Sequence, residues 1–213
     1  MLAHNQGQML NAARLAGSLG VSGQTVARYL DVPVEVLLVR RLQPWAVNGG
    51  KRLVRAPKVY VRDSGILHAL LGIENKERLL GHPVAGSSWE GFVIDNLLAS
   101  APPGTRATFY RTAAGAEIDL LLEMRSGSPW AIEAKRSGSW PNPAKGFHIA
   151  CDDIAAVRRF VVYPGTESFR LDAKTEAVPL RTMIAELKQG DPVPGEGTTE
   201  RGATITGKKA PRK

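Results

Sequence analysis

Cysteine is nearly missing from this chain. Cys151 is the only one in 213 residues, so no disulfide can form within the chain and a reducing compartment suits it. Long apolar runs are missing too, and none approaches the roughly 18 residues of a membrane span. The opening Met1-Leu-Ala-His-Asn-Gln6 has no charged segment leading into an apolar one, so no secretory signal is read and a cytoplasmic location, away from membrane, is expected. Phosphate-loop glycines are missing as well. The two Gly-Lys pairs continue as Gly50-Lys51-Arg52 and Gly207-Lys208-Lys209 without the Ser or Thr that such a loop needs, so no ATP binding is expected. Serine hydrolase chemistry has no anchor, because Gly20-Val-Ser-Gly-Gln24 lacks a second elbow glycine and no Ser-x-x-Lys occurs. His4, His68, His82 and His148 lack metal-ligand spacing, and a zinc site would lack cysteines.

Acidic residues are scarce at the start of the chain. Residues 1–62 hold nine Lys/Arg against two Asp/Glu, a net of +7, while residues 63–188 hold fourteen against fifteen, a net of −1. The last segment, 189–213, holds five against three, which completes the overall +8. Such a bias favours a polyanion partner for the first segment. Nucleic acid, DNA in particular, is expected there, with Arg28, Arg40, Arg41, Lys51, Arg52 and Arg55 as contacts. Arg40, Arg41, Lys51, Arg52 and Arg55 read equally well as a solvated face.

At 43% hydrophobic residues, the chain can bury one good core and a small satellite. Asn11 to Gly20 reads as a short helix stopped by its glycine, and Ser22 caps a second helix from Gln24 to about Leu30. With wing strands at Leu38–Leu42 and Arg52–Arg55, residues 1–62 read as a basic winged-helix-like module. Only about nine residues precede Asn11, so the usual opening helix is expected to be cut short at Met1. Pro33 is expected to weaken the module further, since a mid-helix proline costs about 3 kcal/mol. Both features read as those of a truncated product. Residues 63–84 form a helical connector with an apolar stripe of Ile66, Leu67, Leu70 and Leu71. Residues 189–213, rich in Gly, Pro, Thr and Lys, read as a disordered tail.

The chemistry is concentrated in residues 85–188. Glu117-Ile-Asp119 opens an apolar run, a Ser126-Gly-Ser-Pro129 turn follows, and Trp130-Ala-Ile132 leads into Glu133-Ala-Lys135. This is hairpin patterning. Residues two apart on a strand share a face, so Asp119 is expected to point with Glu117, and Glu133 with Lys135. Two carboxylates and a lysine on one sheet surface could hold a divalent cation and orient a water. Glu133 and Lys135 are equally readable as an ordinary ion pair on an exposed strand. Around the hairpin lie a helical stripe with Phe92, Val93, Leu97 and Leu98, a strand at Phe109–Thr112, a helix at Gly146–Ala156 and a strand at Arg159–Tyr163. Trp89, Phe92, Trp130 and Tyr163 read as core packing.

The D…E-x-K order and the helix–strand–strand–strand–helix–strand series resemble the PD-(D/E)xK nuclease-like superfamily. The fold class expected is therefore α/β, an αβββαβ nuclease-like core over residues 85–188 preceded by the truncated winged-helix module. The resemblance implies that Glu90, on the first helix, joins Asp119 and Glu133 as ligands of Mg²⁺ or Mn²⁺, with the Ala134 carbonyl and waters completing the shell. It gives Lys135 the role of orienting and helping to deprotonate the attacking water, or of stabilising charge that develops on the phosphate. Crowded carboxylates repel, so at least one is expected to have a raised pKa when no cation is bound. More narrowly, LAHNQGQ, SGQTVARYLD, KVYVRDSG, SWEGFVI, EIDLLLE, WAIEAKRS and RRFVVYPG resemble the C-terminal part of a prokaryotic AAA+ ATPase family, here without its ATPase module. The resemblance implies metal-dependent phosphodiester hydrolysis on DNA, or else a non-catalytic nucleic-acid- or partner-binding regulatory module. It also implies an AAA+ ATPase as a partner.

Overall fold

The computed structural model describes residues 1–45, 53–125, 127–138 and 140–189. Lys51, Arg52 and the tail 190–213 lie outside the described residues, so the reading of a disordered tail is not addressed. The helix–turn–helix forms where its caps place it. Asn11 accepts from the Arg14 amide to start α1 (Ala12–Leu19), and Gly20 ends it in the left-handed region at φ 66°. The Ser22 hydroxyl accepts from the Thr25 amide to start α2 (Gly23–Glu35). Val26 and Leu30 of α2 pack with Leu15 and Ala16 of α1.

Three expectations for this region are corrected. α2 does not stop near Leu30 but runs through Pro33 to Glu35. Pro33 sits in the last turn, where the Val36 amide still reaches the Val32 carbonyl at 3.1 Å and Leu38 the Pro33 carbonyl at 2.8 Å. In place of a severed opening helix, a 3-10 turn at Leu2–Asn5 leads into β1 (Gln8–Met9). The wing is also built differently. β2 (Val39–Leu42) pairs antiparallel with β3 (Lys58–Val61), and β1 adds to the other side of β3. Leu53 instead bridges to Thr112 at the edge of the larger sheet, and the Val54 amide donates to the Arg111 carbonyl.

The connector holds two short helices, α3 (Ser64–Leu70) and α4 (Lys76–Gly81), capped by Asp63 and Asn75. Its apolar stripe is only half used. Leu67 is fully buried and Leu71 packs nearby, while Ile66 and Leu70 are exposed.

The remaining elements follow the αβββαβ order: α5 (Ala85–Ser100), β4 (Arg106–Arg111), β5 (Glu117–Glu123), β6 (Pro129–Ala134), α6 (Lys145–Asp153) and β7 (Arg158–Tyr163). The hairpin is present, with Leu120 opposite Ile132 and Leu122 opposite Trp130. Three further elements carried no clear signal in the sequence: β8 (Phe169–Arg170), β9 (Thr175–Pro179) and α7 (Leu180–Gln189). α7 takes in Gln189, the first residue assigned to the tail. The mixed sheet runs β4-β5-β6-β7-β9-β8, antiparallel through the hairpin and parallel at β6-β7 and β7-β9.

The apolar side chains of α5 and α7, Val93, Ile94, Leu97, Met183 and Leu187, join one core with Leu120, Leu122, Trp130 and Phe160. Phe147, Ala150 and Cys151 of α6 join a second with Ile118, Leu121 and Ala131. The larger core also contains Leu42 and Tyr60 from the small N-terminal sheet, so the two regions share one interior. Of the four aromatics read as core, Trp130 and Tyr163 are buried and Trp89 is half-buried, but Phe92 is exposed at the outer side of α5. No described helix is long and apolar enough to cross a membrane.

Candidate metal centre

Two local features aim the acidic side chains. The first is a bulge. Thr108 of β4 faces Leu121 while Tyr110 faces Ile118, so β5 carries one residue more than its neighbour around Asp119 and Leu120. A bulge re-aims side chains. Here it lets Asp119 turn toward the N-terminal sheet like Glu117, as expected, while its Oδ2 accepts from the Ala134 amide at 3.0 Å. The second is Gly91. A Cβ there would stand 2.6 Å from Gln6 Nε2 and 3.1 Å from the Tyr60 ring, so glycine lets α5 lie against β3 and brings Glu90 to it.

What meets these carboxylates is an ammonium. Lys58 leads β3 with its side chain 3% exposed, and its Nζ lies 2.9 Å from Glu90 Oε1, 2.8 Å from Glu117 Oε1 and 3.5 Å from Asp119 Oδ1. The Phe109 ring is 5.5 Å away, a cation–π distance. Tyr60 donates its hydroxyl to Glu90 Oε1 at 2.6 Å, and Arg111 Nη1 holds the other Glu117 oxygen at 2.9 Å. Burial alone would lower the Lys58 pKa, but three carboxylates outweigh it and hold the amine charged.

Glu90 is pushed up to about 7, by burial first and by the Asp119 charge second, against the pull of Lys58 and Tyr60. The expectation of a raised carboxylate is thus met, although desolvation leads and repulsion follows. Burial raises the Tyr60 phenol too, with Glu90 adding to it.

Glu133 and Lys135 form a separate pair. Lys135 Nζ is 2.6 Å from Glu133 Oε1, and the Ala144 amide donates to both Glu133 oxygens at 3.3–3.4 Å. Glu133 is buried, which raises its pKa against the pull of Lys135. The structure therefore brings Glu90 and Asp119 together, adds Glu117, and leaves Glu133 with Lys135. Among the described residues no group of three or more His, Cys, Asp or Glu is arranged to hold a metal ion. The expected triad of Glu90, Asp119 and Glu133 does not close on one point. The oxygens that do converge already hold Lys58, so a divalent cation does not fit this arrangement.

The basic residues are divided. Arg40 donates to Asp95 Oδ1 through Nη2 at 2.5 Å and Nε at 3.1 Å, and Arg62 joins the same carboxylate at 2.8 Å. Arg41 pairs with Asp31 at 2.6 Å. Arg28 and Arg55 are exposed, and Lys51 and Arg52 fall outside the described residues. Much of the N-terminal excess of positive charge therefore meets carboxylates of this chain: Asp31 in its own region, and Glu90, Asp95, Glu117 and Asp119 beyond it.

Sequence reasoning missed Lys58, Tyr60 and Arg111 as members of the site. One signal was there: a lysine at the head of an apolar strand, Val59-Tyr-Val61, needs a buried counter-charge.

Residues 1–77 match one domain of unknown function, DUF8612, and residues 85–183 another, DUF4143. DUF4143 is commonly associated with C-terminal regions of AAA ATPases. An uncharacterized protein of Mycobacterium tuberculosis is 44% identical over 184 residues, which cover 86% of this chain and 41% of that protein. An uncharacterized protein of Mycobacterium bovis matches to the same extent. The chain thus spans about two-fifths of the length of the relatives it matches. No solved structure matches it.

Proposed function

We propose that this chain is a non-catalytic regulatory module that binds a protein partner through the outer face of α2. The observation that carries the reading is that face. Tyr29, Val32 and Val36 lie three and four residues apart and are 64%, 59% and 59% exposed, and Leu37 and Leu38 extend the patch at 66% and 49%. α2 also presents Gln24 and Arg28 to solvent, side chains of the kind that read base edges, but the exposed apolar side chains outnumber them, and an exposed apolar patch marks a protein-binding surface. Leu37 also holds a left-handed backbone at φ 60°, unusual for a bulky residue, which turns its side chain outward. The ammonium within the carboxylates supports the absence of hydrolysis. By resemblance the partner is an AAA+ ATPase, and DNA is the weaker expectation because Arg40 and Arg41 are engaged by Asp95 and Asp31.

A second reading, metal-dependent phosphodiester hydrolysis on DNA, draws on Glu90, Asp119, Glu133 and Lys135 falling in order on an αβββαβ series, with Lys135 seated against Glu133.

Two measurements separate these. Supercoiled plasmid with Mg²⁺ or Mn²⁺ should stay intact beside wild type and Lys135→Ala alike, and nicking by wild type alone would establish hydrolysis instead. Calorimetric titration against the part of the tuberculosis relative that this chain does not match should show binding. Val36→Asp with Leu37→Asp should abolish it while leaving the melting temperature nearly unchanged, because both side chains are exposed. Equal binding by the double variant would remove the α2 face from the proposal.

A further inference from the structure

The ammonium among the carboxylates differs from an ordinary buried lysine in where it comes from. Lys58 belongs to the small N-terminal sheet, whereas Glu90 sits on α5 and Glu117 and Asp119 on β5. The inward oxygens, Glu90 Oε1, Glu117 Oε1 and Asp119 Oδ1, all face Nζ within 3.5 Å. The other oxygens of Glu117 and Asp119 are taken by Arg111 and the Ala134 amide. A divalent ion needs oxygens at about 2.0–2.6 Å, so it would have to stand at the position of Nζ. Two cations cannot share that point. The ammonium is fixed there by its own covalent stem, needs no free ion, and is shielded by Tyr60 and Phe109.

We propose that Lys58 is the resident cation of this carboxylate cage, supplied by the N-terminal sheet, and that a divalent ion enters only when the ammonium is removed. The inference rests on the non-catalytic half of the reading above and states what enforces it. The same contact clamps the N-terminal sheet to α5 and β5.

The test is calorimetric titration with Mn²⁺ of wild type, Lys58→Met and Lys58→Met with Asp119→Asn. Wild type should show no binding at the cage. Lys58→Met should bind Mn²⁺ at least about tenfold more tightly than wild type, because three carboxylates are left facing an empty centre. The added Asp119→Asn should reverse that gain. Should Lys58→Met not fold alone, Lys58→Gln offers a neutral chain of similar reach, and recovery of a cooperative melt on adding Mn²⁺ is then the readout. Mn²⁺ binding by wild type equal to that of the variant overturns the inference. So does the absence of both binding and rescue in the Lys58 variants. Plasmid nicking by wild type would remove the non-catalytic reading, whereas Lys58 variants that gain no Mn²⁺ while wild type stays inert would remove this inference alone.

Discussion

Glu90 holds its carboxylate between a phenol and an ammonium, yet burial and Asp119 still raise its pKa to about 7 from the usual 4.5. The consequence for stability has a definite sign. Between those values the folded state keeps a proton that the unfolded chain has lost, so stability falls as pH rises from about 4.5 to 7. The fall should be on the order of 3 kcal/mol for this group, and Glu133, raised in the same direction, adds to it. Urea unfolding at pH 5 and pH 7.5 should show the difference, and Glu90→Gln should flatten it. A wild type that gains stability over that interval would contradict the assignment. At this scale the sequence was partly legible. Asp119 and Glu133 follow from strand patterning and Glu90 from the resemblance, but the counter-charge of Glu90 and Asp119 lies 32–61 residues earlier and no local periodicity points across that distance. The Arg40 ion pair was not legible for the same reason, because Asp95 is 55 residues away.

Elements were the most legible level, since their causes are local. Asn11, Ser22, Asp63 and Asn75 cap the helices they precede, and Gly127, at φ 81°, lies in the turn of the β5–β6 hairpin. β8 and β9 were not legible, because they are short and carry Arg170 and Glu176, and pairing of β9 with β7 and of β8 with β9, rather than their own patterning, makes them strands. Two substitutions test the account at this scale. Gly91→Ala should destabilise by about 1–3 kcal/mol despite the better helix propensity of alanine, because the new Cβ strikes Gln6 and Tyr60 where α5 crosses β3. An unchanged melting temperature would show that the approach is not tight. Pro33→Ala should stabilise by no more than about 1 kcal/mol, well short of the mid-helix cost, because only the last turn of α2 is affected. A gain of about 3 kcal/mol in urea unfolding would show that proline strains the whole helix.

At the scale of the whole molecule, the sequence pointed to two modules joined by a helical connector, and the structure keeps that order while merging their interiors. Leu42 and Tyr60 lie in the same core as Val93, Leu97 and Phe109, and Trp45 donates its amide to the Phe109 carbonyl. A fragment of residues 85–189 alone should therefore lack cooperative unfolding, with part of its core open and its carboxylates uncompensated. A sharp, two-state melt of that fragment by circular dichroism would overturn this view of the interior. The positive excess at the start of the chain takes on another meaning here. Read along the sequence it suggested a polyanion outside the protein, but in three dimensions much of it faces acids of the same chain.

The position of Lys58 also constrains how such chains can recombine. The C-terminal domain carries Glu90, Glu117 and Asp119 but not the buried amine that lies among them. A gene fusion that set this domain behind an unrelated leading segment would inherit a buried cluster of negative charge with no amine to compensate it. Such a chimera should express poorly until a lysine or arginine is introduced opposite Glu90, or an acidic position is neutralised.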